Sequence, residues 1–492
     1  MGRMTPWRLA AVALLAALSA CAVGPNFKTP APPQASDYGR ASRQAQTASA
    51  EGLGGNAQNF VGGLDICGQW WTLFQSPKLS GLVVQALKAN PNVDAAAAAL
   101  RQAHELYVAQ RTTYFPSVQG NFSAARAQNA NDAIANPTVS PSAVYSLYTA
   151  QLSLSYVPDI FGGTRRSVEA ARAQVDVTRF QLEATYVTLS SNVVVTAIQE
   201  ASLRGQIAAT ERMLNLQQQL TDTVQRQRGL GTASELDLLS QQAAQAQTAA
   251  ALPPLRKQLG QIRDALTALL GRLPSQEPDE TFELQDLTLP TDLPLNVPSR
   301  LVAQRPDVRQ AAANLHMASA EVGVALANML PQFAITADTG SAALKLGQLF
   351  SPYTGFWDLG ASLTQTLFDS GALLHRRRAA DAALDQAAAQ YRAAVILACQ
   401  NVADTLWALQ TDADALKASV AADRAAKATL EIALHQHELG TNSTVAVLNA
   451  EQTYQQAEVA LVQAQANRYA DTAGLFQALG GGWWNRPAGN SP

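Results

Sequence analysis

Apolar residues along this chain keep two periods, one of helices and one of strands, and the two alternate twice. From Gly163 to Arg228 no proline interrupts a run rich in Ala, Gln, Arg, Leu and Glu, and Met213, Leu216, Leu220 and Val224 recur at spacings of three and four. At about 1.5 Å per residue this predicts a helix about 100 Å long. The chain turns at Gly229-Leu230-Gly231-Thr232 and returns as a helix from Ser234 to about Leu270, along which Leu236, Leu239, Ala243, Ala246 and Ala250 keep the same spacing. Such a seam lays two helices side by side, and alanine lets their backbones come close. A second long helix is expected from Gly371 to Glu438, with a turn at 438–443 and a return from Ser443 to Leu479. Shorter helices lead into each hairpin, Leu79 to Thr113 with a break at Pro91, and Pro298 to Met329.

Between the short and long helices the period becomes two. Val118, Gly120, Phe122 and Ala124 alternate with small polar residues over about 117–126, and Tyr148, Ala150, Leu152, Leu154 and Tyr156 do so over about 147–157. Phe333, Ile335 and Ala337 repeat the pattern over about 332–340, and Trp357, Leu359, Ala361, Leu363 and Leu367 over about 356–368. Segments of about ten residues, apolar on one face and polar on the other, suit strands with lipid on one side and water on the other. A surface hairpin of a soluble protein would also alternate, but here the pairs recur at equivalent places in two copies.

The copies are visible in the residues themselves. Gly229-Leu230-Gly231-Thr232 is echoed by Glu438-Leu439-Gly440-Thr441, Leu239 by Leu448, and Ala268-Leu269-Leu270-Gly271 by Gln477-Ala478-Leu479-Gly480 at one constant offset. Asn90-Pro91-Asn92-Val93 likewise matches Arg305-Pro306-Asp307-Val308. The chain is a duplicated unit of about 210 residues. The expected division is a signal peptide (1–20), a tether and aromatic anchor (21–75), a first repeat (76–272), an equatorial linker (273–297), a second repeat (298–480) and a tail (481–492), with Gly480-Gly481-Gly482 ending the structure. Four strands per chain cannot close, and a sheet in lipid tolerates no open edge. Two copies give eight strands around a filled interior; three give twelve and room for a channel. The fold expected is therefore mainly α with a membrane β-barrel, four strands and long helical hairpins per chain, and a conduit requires the twelve-stranded trimer.

Composition narrows the chemistry. Charged residues make up 15% and the net charge is −3, which suits packed helices and gives no basic patch for nucleic acid. No enzyme constellation stands out. His437-Glu438 lacks the second histidine of a zincin motif, Gly229-Leu230-Gly231 follows a helix rather than a strand, and His435 and His437, two apart, do not share a helix face, so no metal site is expected. Cys67 and Cys399 read as free thiols, though a periplasmic pair is conceivable. Arg165-Arg166 and Arg376-Arg377-Arg378, at the starts of the long helices, read as a solvated face at the membrane boundary.

A combination of motifs carries a family resemblance. Phe74-Gln75-Ser76-Pro77-Lys78-Leu79, Asn90-Pro91-Asn92-Val93, Arg305-Pro306-Asp307-Val308-Arg309 and the closing Ala478-Leu479-Gly480-Gly481-Gly482-Trp483 resemble TolC-like outer membrane efflux proteins. Val23-Gly24-Pro25-Asn26-Phe27 is similar to the NodT-type, OprM-like lipoprotein branch. Leu18-Ser19-Ala20-Cys21, after a short apolar run behind Arg3 and Arg8, resembles a lipobox. This implies diacylglycerol and an N-acyl chain on Cys21, an outer-membrane address, and no other cofactor. The resemblance implies a homotrimeric exit duct of a Gram-negative tripartite system, carrying drugs or other small molecules, docked by a periplasmic adaptor and driven by an inner-membrane RND-type pump. The alternatives are a duct for type I protein secretion and, in a different class, a structural coiled-coil envelope lipoprotein without a channel.

By the same resemblance the tips Gly229, Leu230, Gly231, Thr232 and Ser234, with Leu439, Gly440, Thr441 and Ser443, are adaptor-docking turns. The family's periplasmic gate maps onto Asp237, His437, Asn442 and Asn449. Asp237 keeps an aspartate, whereas His437 stands at a tyrosine position, Asn442 at an arginine position, and Ala446 and Asn449 at aspartate positions. The expectation is a bond from Asn442 to Asp237, weaker than one from an arginine, with His437 able to gain charge toward acid pH. The other reading of Asp237 is a residue that only favours its helix N-terminus.

Overall fold

The computed structural model describes residues 22–34, 37–38, 45–128, 144–295 and 297–486. In chain order the elements are β1 (Asn59–Gly62), α1 (Pro77–Ala89), α2 (Pro91–Arg111), β2 (Ser117–Gln128), β3 (Val144–Tyr156), α3 (Gly163–Gly229), α4 (Glu235–Leu269), β4 (Asp292–Leu295), α5 (Pro298–Gln304), α6 (Pro306–Ala327), β5 (Gln332–Ala343), β6 (Gly355–Thr364), α7 (Ala372–Glu438) and α8 (Thr444–Ala478). They form two compact units.

The first unit contains Arg101–Val177 and Ala311–Tyr391 together with the described part of Met1–Thr29. Its sheet has the order β2-β3-β5-β6, antiparallel throughout. Register settles the faces, because residues directly opposite one another point the same way. Val118, Leu154, Ala337 and Leu359 lie in one row, and Gly120, Leu152, Thr339 and Trp357 in another; the opposite face carries the row Gln119, Ser153, Asp338, Asp358. The apolar rows are left uncovered: Trp357 is 79% exposed and Leu359 68%. Bounds shift in all four strands: β2 runs to Gln128 rather than 126, and β5 to Ala343 rather than 340. β3 spans 144–156 rather than 147–157, because β2 continues to Gln128 and pairs there with Val144. β6 ends at Thr364 rather than 368, because its partner begins at Gln332, directly after Pro331. Leu367 and Phe368 follow as exposed, irregular chain.

The stretch after Cys21, expected as an extended tether, is pinned along residues 23–27. Val23 N donates to Phe161 O at 3.0 Å, and the buried Arg166 donates to Val23 O, Gly24 O and Asn26 Oδ1. Phe27 stacks on His316 at 4.3 Å. Gly24 lies so close to Gly323 that a Cβ would sit 2.5 Å from its Cα.

The second unit contains Pro30–Leu100, Thr178–Gln310 and Arg392–Pro492. Here too the N-terminal stretch is pinned. β1 pairs in parallel with β4 of the linker, Gln58 donates to Pro290 O and Thr472 Oγ1, and Arg468 donates to Thr47 Oγ1, Gly54 O and Asn56 O. Trp70 stacks on Phe476 at 5.3 Å, and Phe74 packs near Tyr469. The linker 273–297 buries Phe282, Leu284, Leu287, Leu289 and Leu293. The single helix expected over Pro298 to Met329 is two, because Arg305 precedes Pro306 and adopts an extended backbone (φ −73, ψ 127), as Asn90 does before Pro91 (φ −77, ψ 124). Order continues past Gly480-Gly481-Gly482 rather than ending there: Trp483 Nε1 donates to Gln304 O at 2.6 Å, and Arg486 pairs with Glu183 at 2.9 Å. Cys67 and Cys399 are both free.

Candidate functional site

The two hairpin turns are the same structure built twice. In the first, Gly231 takes φ +77, Gly231 N donates to Arg228 O at 2.9 Å and Thr232 N reaches back to Gln227 O at 2.9 Å. In the second, Gly440 takes φ +70, Gly440 N donates to His437 O at 3.0 Å and Thr441 N to Gln436 O at 2.9 Å. A left-handed residue closing a helix in this way is most easily a glycine. The hydroxyls of Thr232 and Thr441 each cap the same carbonyls at 3.0 Å. These bonds push the intervening leucines outward, so Leu230 is 81% and Leu439 65% exposed. Leu236 and Val445 add exposed apolar surface beside them.

The turns differ in how the return helix is capped. Ser234 and Asp237 form a full capping box on α4, with Asp237 N to Ser234 Oγ at 3.1 Å and Ser234 N to Asp237 Oδ2 at 3.1 Å. On α8 the equivalent third residue is Ala446, so only the Ser443 half remains, at 3.3 Å. Asn442 Oδ1 accepts from Ser443 N at 2.9 Å instead of contributing to a cross-hairpin bond.

Of the expected gate residues, His437 touches Asn442 and acts weakly on Asp237 through charge, whereas Asn449 lies apart. The Asp237 carboxyl is held below the usual carboxylate range, chiefly by the Ser234 hydroxyl, then by Ser234 N–H and the hydroxyl of Thr444, with the His437 charge adding a little. His437 Nδ1 lies 3.3 Å from Asn442 O. The expected reach of Asn442 to Asp237 is thus replaced within the chain by Thr444. Asn449 lies farther along α8, where it lines a groove of about 730 Å³ with Gln206, Gln217, Gln247 and Gln455. Sequence reasoning missed Thr444 and the buried Glu451. The signal for Glu451 was available: Val447, Ala450 and Tyr454 mark the apolar stripe of α8, and a glutamate stands within it. Cys21 lies outside the described residues. Among the described residues no group of three or more His, Cys, Asp or Glu could hold a metal ion.

A sheet with one uncovered apolar face in one unit, and paired glycine turns on long helical hairpins in the other, suit an outer-membrane channel class. The family described as Outer membrane efflux protein matches residues 82–272 and 297–481, and the chain belongs to that family. Its members are transport ducts of the Gram-negative outer membrane and not catalysts. The chain is 29% identical over 420 residues to the pyoverdine export outer membrane protein OpmQ of Pseudomonas putida, covering 84% of this chain and 88% of the relative. It is 26% identical over 483 residues to the cation efflux system protein CusC of Escherichia coli, covering 98% and 100%. The solved outer-membrane channel OprN superposes with a TM-score of 0.83 at 27% identity, covering 94% of this chain and all of that one.

Proposed function

We propose that three copies of this chain form an exit duct with a twelve-stranded barrel in the outer membrane and a periplasmic barrel of helical hairpins. A periplasmic adaptor docks on the tips and an inner-membrane RND-type pump drives the flow of small molecules. The observation that carries the trimer is the sheet: β2 and β6 are unpaired edges in one chain, while its apolar face is built for lipid. In a bilayer those edges must be paired, and β6 of one copy against β2 of the next is the closure that repetition allows. Three copies yield twelve strands and a bore. In detergent the purified protein is expected to have the mass of a trimer by light scattering; a monomer or a dimer would refute the duct.

Leu230 and Leu439, held outward by glycine turns, support adaptor docking: each is a rigid apolar knob at the end of a hairpin. Closure of the duct at the same end is supported by the Asp237 carboxyl, on which hydroxyls from both hairpins act, Ser234 from one and Thr444 from the other. Cargo is left to the pump. One similar duct is named for pyoverdine export and another for cation efflux, cargoes of unlike chemistry. The acyl chains on Cys21 complete the anchor, and Arg166 holds the next residues firmly. Fatty-acid label is expected on the wild type and absent from Cys21→Ser, while the unlipidated trimer, if exported, stays in the membrane; label that survives the substitution would refute the anchor.

A further inference from the structure

Two turns beyond the Ser443 cap, α8 carries a carboxyl that the reading above does not use. Glu451 is 0% exposed, and only amides meet it. Gln217 of α3 donates to Oε2 at 3.0 Å, and Gln241 of α4 lies 3.4 and 3.5 Å from the two oxygens. Both glutamines are themselves buried, and Gln217 Oε1 has no partner. Beside them Met213 of α3, Leu430 and Ala433 of α7, and Val447 and Ala450 of α8 close a dry cluster. Both legs of the first hairpin therefore meet the second hairpin on this one carboxyl group.

The hydrogen-bond partners of Glu451 are neutral: burial raises its pKa, and the amides of Gln217 and Gln241 offset this in part. The ionic groups of those helices lie elsewhere. Arg212, Glu458, Asp423 and Glu431 surround Tyr454, Arg212 and Glu458 pair at 2.6 Å, and Asp237 and His437 sit at the turns. An ionised carboxylate here has lost water and gained only neutral donors, which is unfavourable. A neutral carboxyl also brings an O–H donor to a site where Gln217 Oε1 is without a partner.

We propose that Glu451 is a protonation-dependent latch between the two hairpins: neutral, it ties α8 to α3 and α4 and keeps the tip shut, and ionised, it favours separation and an open duct. The inference rests on the reading that the duct closes at its tip. Its sign follows from the two states. In the packed state the carboxyl binds its proton more tightly than when water reaches it, so ionisation costs the packed state more as pH rises above the ordinary glutamate range. Each pKa unit separating the packed from the opened state is about a tenfold rise in the open-to-shut ratio.

The test is single-channel recording of the purified full-length protein in planar bilayers at about pH 5 and about pH 8, a window wide enough to include both glutamate and histidine titration. Open probability is expected to rise with pH in the wild type. Glu451→Gln, which keeps a hydrogen-bonding neutral group, is expected to stay as closed at both values as the wild type is in acid. His437→Asn is expected to keep the wild-type rise. A rise that survives in Glu451→Gln, a flat wild type, or a profile flattened by His437→Asn instead would each overturn the latch. Asp237→Ala combined with Thr444→Val separates the two levels of the argument. If that pair opens the duct while Glu451→Gln leaves the pH profile intact, only the latch fails; if the pair stays shut, the tip reading fails and the latch with it. Trimer mass and thermal midpoint confirm that each variant is assembled.

Discussion

Alanine in place of Arg468 is expected to cost about 3–5 kcal/mol, the range for removing one partner of a buried charge network. The side chain is 0% exposed yet charged, and it holds the N-terminal stretch through Thr47 Oγ1 at 2.8 Å, Gly54 O at 2.8 Å and Asn56 O at 2.7 Å. Two of those acceptors are main-chain carbonyls that no strand pairs, so they lose their donor outright. The loss extends to Asp412, whose carboxyl burial and the neighbouring Asp471 push up to about 7 while Arg468 pulls it down. Without the guanidinium, burial and Asp471 act on Asp412 unopposed. Lysine is no substitute, because three separately aimed bonds need the planar fork. The measurement is the thermal midpoint of the assembled protein, with limited proteolysis around 47–58 as a local readout. A drop equivalent to less than about 1 kcal/mol, with no new cleavage, would mean that the stretch is held by Trp70 and β1 instead.

What could be read in advance was whatever rests on a period. The seam through Met213, Leu216, Leu220 and Val224 foretold a long helix because side chains three and four apart share a face. The alternation through Trp357, Leu359 and Leu363 foretold a strand because its two faces meet different solvents. What escaped was held by single long-range bonds. Ala45 to Gly62 has the composition of a linker, and no pattern within it announces that an arginine more than 400 positions later will bind its carbonyls. Arg468 itself reads as a surface residue of a helix until the partner segment is known. The break at Arg305 was within reach, since the residue before a proline disfavours the helical region, but a continuous apolar pattern outweighed it. At the tips, the glycine turns were legible from Gly231 and Gly440 alone. The partner of Asp237 was not, because mapping residue by residue onto a family gate points to Asn442, whereas the helix geometry places the Thr444 hydroxyl there.

Asp237→Ala is expected to open the duct, raising single-channel open probability by about tenfold and letting large antibiotics enter cells. The substitution removes two things at once. It halves the capping box with Ser234, worth about 1 kcal/mol of local helix stability. It also removes the carboxylate on which the Thr444 hydroxyl of the other hairpin acts. The carboxylate is solvent-exposed, so this contact contributes at most about 1 kcal/mol per chain; lost three times in a trimer, it covers the tenfold change. The two contributions come apart in comparison. Ser234→Ala breaks the cap and spares the carboxylate, so it should open the duct little; Thr444→Val spares the cap and breaks the tie, so it should behave like Asp237→Ala. The pH dependence has a definite sign as well. The lowered Asp237 pKa means that its tie is present above the usual carboxylate range and is lost only as pH falls through that lowered value. Asp237→Ala should therefore exert the same effect at mildly acidic and neutral pH. Equal currents from Asp237→Ala and Ser234→Ala would make Asp237 a helix cap and nothing more; wild-type currents from both would place the closure beyond these turns.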